Sequence, residues 1–190
     1  MLGRSGVYVR FILGNYIIMN TLKTIRDADF GIDTTSPASF RERRAARAVV
    51  VDADGNVAII HAKTNDYHKL PGGGIDEGEQ IEDALARELM EEIGCVATPV
   101  RELGIIEEYR NEHELNQLSY CFLANLVGGK GTPTLEDSEI AEGFETVWMS
   151  IEEAITAFEA DEADMENYSG KFMCLRDLTF LREAQKHVLN

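Results

Sequence analysis

The chain is short of cysteine, proline, tryptophan and positive charge, and several of these shortages close off a class of protein. Its 190 residues hold three cysteines, Cys95, Cys121 and Cys174. An odd number spread so far apart makes neither a disulfide framework nor a zinc cluster, so three reduced thiols in a cytoplasmic protein are expected. Lysine and arginine total 18 against 34 aspartates and glutamates, a formal charge of −16. Such a surface repels a long nucleic acid, whose protein partners gain most of their affinity from basic residues that neutralise phosphates. No long nucleic acid is therefore expected as a partner. An acidic chain still binds a polyphosphate where divalent cations bridge the two sets of negative charge.

The stretch from Val7 to Met19 is apolar, but Arg10 and Asn15 interrupt it and it is too short to span a bilayer. No membrane partner is expected. The segment reads instead as an N-terminal extension, packed on the domain, frayed, or set at an interface between copies, with Met19 as a second candidate start. The length suits one core rather than two. Residues 1–40 are accordingly read as the extension and 41–190 as a single domain that includes a C-terminal helix.

Arg44 to Lys63 reads as two β-branched runs about Asp54-Gly55-Asn56, a hairpin signal. A polar loop and Leu70-Pro71-Gly72-Gly73-Gly74 follow, where the chain must turn sharply. From Gln80 to Ile93 no proline or glycine intervenes, and Leu85, Leu89 and Ile93 recur at helical spacing until Gly94 ends the run. Strands are predicted near Arg101 to Tyr109, Gln117 to Leu126 and Phe144 to Met149, and helices at Ile151 to Glu159 and Gly170 to His187. The class is α/β (α+β), a mixed sheet flanked by helices.

On the first helix Glu88, Glu91 and Glu92 share one face, and three like charges there cost stability unless a cation neutralises them. Hard ions such as Mg²⁺ or Mn²⁺ suit carboxylate oxygens. A solvated acidic face is the plain alternative. The glycine turn just before the helix favours the site, because it brings backbone groups close to the same carboxylates.

Read together, Gly73, Glu79, Arg87, Glu88, Leu89, Glu91, Glu92, Gly94 and Cys95 fit one pattern: glycine, five residues, glutamate, seven residues, then R-E-aliphatic-x-E-E-x-G-aliphatic. The segment GGIDEGEQIEDALARELMEEIGC resembles the Nudix box, with Cys95 where a bulkier aliphatic is usual. The resemblance is strict over Gly73 to Cys95 and looser over Arg44 to Glu159. It implies an α/β/α sandwich with a mixed β-sheet. It also implies metal-dependent hydrolysis of a diphosphate linkage in a nucleoside diphosphate linked to a group X, with an oxidised or noncanonical nucleoside triphosphate as the first expectation.

By the same resemblance Glu88, Glu91 and Glu92 hold Mg²⁺ or Mn²⁺, while Glu79, Arg87 and Gly94 are structural and Gly72 and Gly73 lie against the substrate. In some relatives a distal loop glutamate completes the metal site. Glu142 is the candidate here, with Asp137 and Glu139 in the same acidic loop, and the general base is Glu91 or Glu142. Arg44 and Arg47 flank the first strand, and arginines so placed in related chains reach substrate phosphates; solvation at a strand edge is the alternative. His61, His68 and Lys69 approach the glycine turn, while Trp148, Phe144, Tyr120 and Phe122 read as core. The acids from Glu152 to Glu166 read as a solvated face. Many relatives are dimeric, which makes a homodimer an expectation. A nucleotide sensor without turnover would show an eroded box, and isoprenoid diphosphate isomerisation would need cysteine and glutamate catalysts in a motif that Cys121 and Cys174 do not supply.

Overall fold

The computed structural model describes residues 7–12 and 15–188, with side chains from Met19 to Val188. In chain order the strands are β1 (Val7–Ile12), β2 (Asn15–Arg26), β3 (Arg41–Val51), β4 (Val57–Ala62), β5 (Tyr67–Lys69), β6 (Gly72–Gly74), β7 (Val96–Arg110), β8 (Leu115–Val127) and β9 (Phe144–Met149). The helices are α1 (Ile81–Ile93), α2 (Asp137–Glu142), α3 (Ile151–Asp164) and α4 (Tyr168–Val188). The described strands form one mixed sheet in the order β1-β2-β7-β8-β3-β4-β5, with β6 on β3 and β9 on β4. The pairs β2–β7 and β3–β8 are parallel and the rest antiparallel.

Strand alternation on β3 sorts the two faces of the sheet. Ala46, Ala48 and Val50 pack with Ile81, Ala84, Leu85, Leu89 and Ile93 of α1. Val49 packs on the opposite face with Phe158 of α3 and Phe172, Leu178 and Leu181 of α4. Burying each of these large side chains stabilises the fold by roughly 1.5–3 kcal/mol. The α/β/α sandwich expected from the resemblance is thus present, with helices on both faces.

Two stretches carry regular structure that the sequence does not announce. Residues 15–26, inside the expected extension, form a full strand: β2 pairs with β7 from Thr21 to Arg26 and sends Met19 and Ile25 into the two cores. The side chains of residues 7–18, and with them most of the apolar stretch, lie outside the described residues. The acidic loop expected before β9 contains α2, which is short and begins with a reciprocal capping box between Glu136 and Glu139. Its Gly143 closes the helix at φ +69°, which no periodicity over six residues would announce.

Candidate active site

The glycine turn, Leu70 to Gly74, is held from three sides. Gly72 lies at φ +126°, and a Cβ there would fall 2.2 Å from the Ala46 carbonyl oxygen, so only glycine lets β6 lie against β3. Its N–H donates to Glu92 Oε2 at 2.6 Å, and its carbonyl accepts from Arg47 Nη1 at 2.7 Å. From α4, Asp177 accepts the Leu70 N–H at 3.0 Å. Glu92 is buried, and its other oxygen accepts from Lys69 Nζ at 2.7 Å.

Helix α1 presents the remaining carboxylates beside this turn. Arg87 Nη1 sits between Glu88 Oε1 at 2.8 Å and Glu91 Oε2 at 3.1 Å, so the two carboxylates converge within reach of one nitrogen. The rest of the guanidinium forks onto Glu79, at 3.0 and 3.1 Å, and onto the Gly74 carbonyl at 3.0 Å. Arg87 therefore ties the loop of residues 75–80 to the helix, and the bonds to Glu79 hold its protonated form firmly in place. Burial, reinforced by the charges of Glu92 and Glu91, pushes the Glu88 carboxyl above the usual carboxylate range against the pull of Arg87.

Among the described residues no three His, Cys, Asp or Glu side chains close into a formed metal cage. Lys69 and Arg87 take up the oxygens instead. The donor set nevertheless suits a hard divalent cation, since it is all carboxylate and carries repulsion that a cation relieves. The wall opposite Glu88 is open only because residue 73 is glycine: a Cβ there would lie 2.4 Å from Glu88 Oε2. Side-chain exposure runs from 3% at Glu92 through 13% at Glu88 to 37% at Glu91, so Glu91 is the most accessible of the three.

A cleft of about 990 Å³ opens beside the turn. Its floor carries Arg43, Arg47, Arg110 and Arg176, and Asp161, Asp164 and Glu166 stand on its α3 side. Glu142, the last residue of α2, lines it and accepts a hydrogen bond from Tyr67 Oη at 2.6 Å. Glu139 is raised by burial and by the negative field of Glu92, which places it in electrostatic reach of the box, while Asp137 is exposed. Phe144 also lines the cleft, with Lys69 Nζ 4.6 Å from its ring centre.

The two arginines named as candidates to reach substrate phosphates lie on different faces. Three residues apart on a strand, Arg44 and Arg47 face opposite sides of the sheet: Arg44 is exposed over the Tyr120 ring, and Arg47 is buried under the glycine turn. Strand-edge solvation fails for Arg47 as well, since β3 is central. Arg43 shares the face of Arg47 and is the residue that reading missed; counting by twos from Arg47 finds it. Asp161 likewise leaves the solvated face expected of its neighbours and accepts from the His68 N–H at 2.6 Å. His61 stacks on His68 at 4.6 Å, and Trp148 is partly buried with Lys130 Nζ 4.2 Å above its ring.

Comparison with known proteins agrees with this geometry. An ADP-ribose pyrophosphatase of Methanocaldococcus jannaschii is 27% identical over 99 residues, 50% of this chain and 58% of that protein. An RNA pyrophosphohydrolase of Bartonella quintana is 40% identical over 95 residues, 45% of this chain and 49% of that protein. The chain thus spans only about half the length of these curated relatives. A NUDIX hydrolase from Nitrosomonas europaea superposes with a TM-score of 0.54 at 22% identity, over 72% of this chain and 88% of its own, a likeness of fold. The model of the NUDIX domain matches residues 41–172, and with the box carboxylates converging on α1 beside the glycine turn, the chain belongs to the Nudix family.

Proposed function

We propose that this protein hydrolyses a diphosphate linkage in a nucleoside diphosphate linked to a group X, with Mg²⁺ or Mn²⁺ held by Glu88, Glu91 and Glu92. The observation that carries this reading is the convergence of Glu88 and Glu91 on a single nitrogen of Arg87, against a wall cleared by Gly73. When bound, the cation supplies charge neutralisation for the phosphate oxygens as water attacks phosphorus.

The chain's own residues do the rest. The Gly72 N–H and Lys69 fix Glu92, and the Arg87–Glu79 pair sets the pitch of the loop against α1. Phosphate oxygens meet the glycine turn, where Gly73 leaves the space in front of Glu88 clear. The proton of the attacking water goes to Glu91, whose carboxylate is the most exposed of the box trio and has Arg87 as its ion-pair partner. Glu142, the other candidate base, already accepts from Tyr67 and lines the cleft from the end of α2.

The names of the relatives diverge, ADP-ribose in one and RNA in the other, and so select no group X. The acidic surface supports a small nucleotide-like substrate in preference to a long nucleic acid. The test is phosphate release from a panel of ordinary and oxidised nucleoside triphosphates, dinucleotides and nucleotide sugars, with Mg²⁺, with Mn²⁺ and with chelator. Turnover of one class is expected, abolished by chelator and reduced at least about 100-fold in Glu91→Gln. Glu142→Gln should cost less; a greater loss there would move the base to α2. Absence of turnover with either ion, in protein that binds the nucleotide, would replace the hydrolase with a sensor.

A further inference from the structure

The box accounts for one side of the cleft and leaves its floor unexplained. On the sheet face under α3 and α4, the inward positions change from apolar to polar toward one end of three adjacent strands. Along β3, Val49 gives way to Arg47 and Arg43; along β8, Leu123 and Cys121 give way to Ser119 and Gln117; along β7, Ile106 gives way to Glu108 and Arg110. Register puts Arg43, Gln117 and Glu108 in one row across the sheet. They are bonded along it, Arg43 Nη1 to Gln117 Oε1 at 2.7 Å and Gln117 Nε2 to Glu108 Oε2 at 2.8 Å.

Positive charge is in excess on this floor. Glu108 meets Arg110 at 2.9 Å and Arg176 at 3.7 Å, Asp177 meets Arg176 at 2.6 Å, and Glu92, paired with Lys69, also acts on Arg47, so three buried carboxylates face four guanidiniums and an ammonium. Arg47 and Arg110 are more than nine-tenths buried, and the Nε–H of each has no hydrogen-bond partner among the described residues. A buried donor left so costs about 1–3 kcal/mol. Burial and the charge of Arg176 lower Arg47 to about 10, and burial with Arg176 and Arg110 lowers Arg43. The described protein groups leave these two Nε–H donors without acceptors, although all four arginines line an open cleft.

We propose that Arg43, Arg47, Arg110 and Arg176 form an anion subsite that takes a second phosphate group of the substrate, apart from the diphosphate that is cleaved. Planar forks of donors on several sides suit phosphate oxygens. The position also fits, because Arg43 Nη2 lies 3.3 Å from where a Cβ on Gly74 would stand, one residue from the wall opposite Glu88. The floor therefore adjoins the box, and a cleft of about 990 Å³ has room for more than a diphosphate. The placement within a substrate rests on the hydrolase reading, whereas the binding of phosphate does not.

The experiment is a calorimetric titration of the full chain with inorganic phosphate in the presence of chelator, run on wild type, Arg43→Gln, Arg110→Lys and Glu91→Gln, with turnover assayed in parallel. Wild type and Glu91→Gln should bind phosphate alike, and the two arginine variants should bind it at least about tenfold more weakly, the scale of one charge-assisted hydrogen bond. Arg43 is half-buried, so its variant carries the test even where Arg110→Lys does not fold. Failure of wild type to bind phosphate, or binding that Arg43→Gln leaves intact, overturns the subsite while turnover lost in Glu91→Gln keeps the hydrolase. Arginine-dependent phosphate binding in a protein that turns nothing over has the reverse meaning.

Discussion

At the scale of single residues, the site depends on a hydrogen atom at residue 73 where any other residue has a Cβ. A Cβ on Gly73 would press on the Glu88 carboxylate, which is the end of a flexible side chain and moves aside. Gly73→Ala should therefore fold, with a melting temperature within about 4 °C of wild type. Its turnover should fall at least about 100-fold, because a displacement near 1 Å in a catalytic carboxylate is costly. Unimpaired turnover in this variant would mean that Glu88 does not work from the position described. The glutamates were legible in the sequence because helical spacing alone puts Glu88, Glu91 and Glu92 on one face. Arg43 was not, because the strand that carries it reads Arg-Glu-Arg-Arg-Ala-Ala-Arg, and only the register of β3 says which of those arginines share a side.

At the scale of elements, α4 reaches the turn through one buried charge. Asp177 accepts from the Leu70 N–H and from Arg176, and against the opposing effect of burial Arg176 holds its carboxyl below the ordinary range. Asp177→Asn leaves Arg176 buried with one carboxylate fewer and should destabilise the fold by about 3–5 kcal/mol in urea titration at neutral pH. The pH dependence has a definite sign. A carboxyl depressed in the folded state contributes stability above its ordinary value of 3.8, and that stability is lost as pH falls through the lower folded value. Wild type should thus weaken below about pH 4 more steeply than the variant; parallel curves would argue against the pair.

Helices α1, α3 and α4 and strands β3, β4, β7, β8 and β9 were readable, since periodicity and turn residues mark them. Strand β2 was not, because Asn15 to Arg26 mixes apolar and polar residues without clean alternation and finds its partner, β7, far along the chain. The Glu108–Arg176 contact is equally non-local, and a buried ion pair leaves no mark on either segment alone.

At the scale of the whole molecule, the order in which an incoming anion meets charge follows from the acidic side of the cleft above its basic floor. A chain of net charge −16 repels a polyphosphate at long range, and Asp164 and Glu166 stand exposed beside the opening. Attraction begins only past them, at distances where bulk salt screens little. Encounter and residence are thereby set by opposite fields. With the divalent cation saturating, raising NaCl from about 0.01 M to 0.1 M shortens the Debye length from about 30 Å to about 10 Å, and kcat/KM should rise while kcat stays level. A kcat/KM that falls steadily with salt would show the floor, not the surface, governing capture. In the first case the acidic surface acts as a kinetic filter, slowing entry of every anion and leaving the arginines to decide which ones stay.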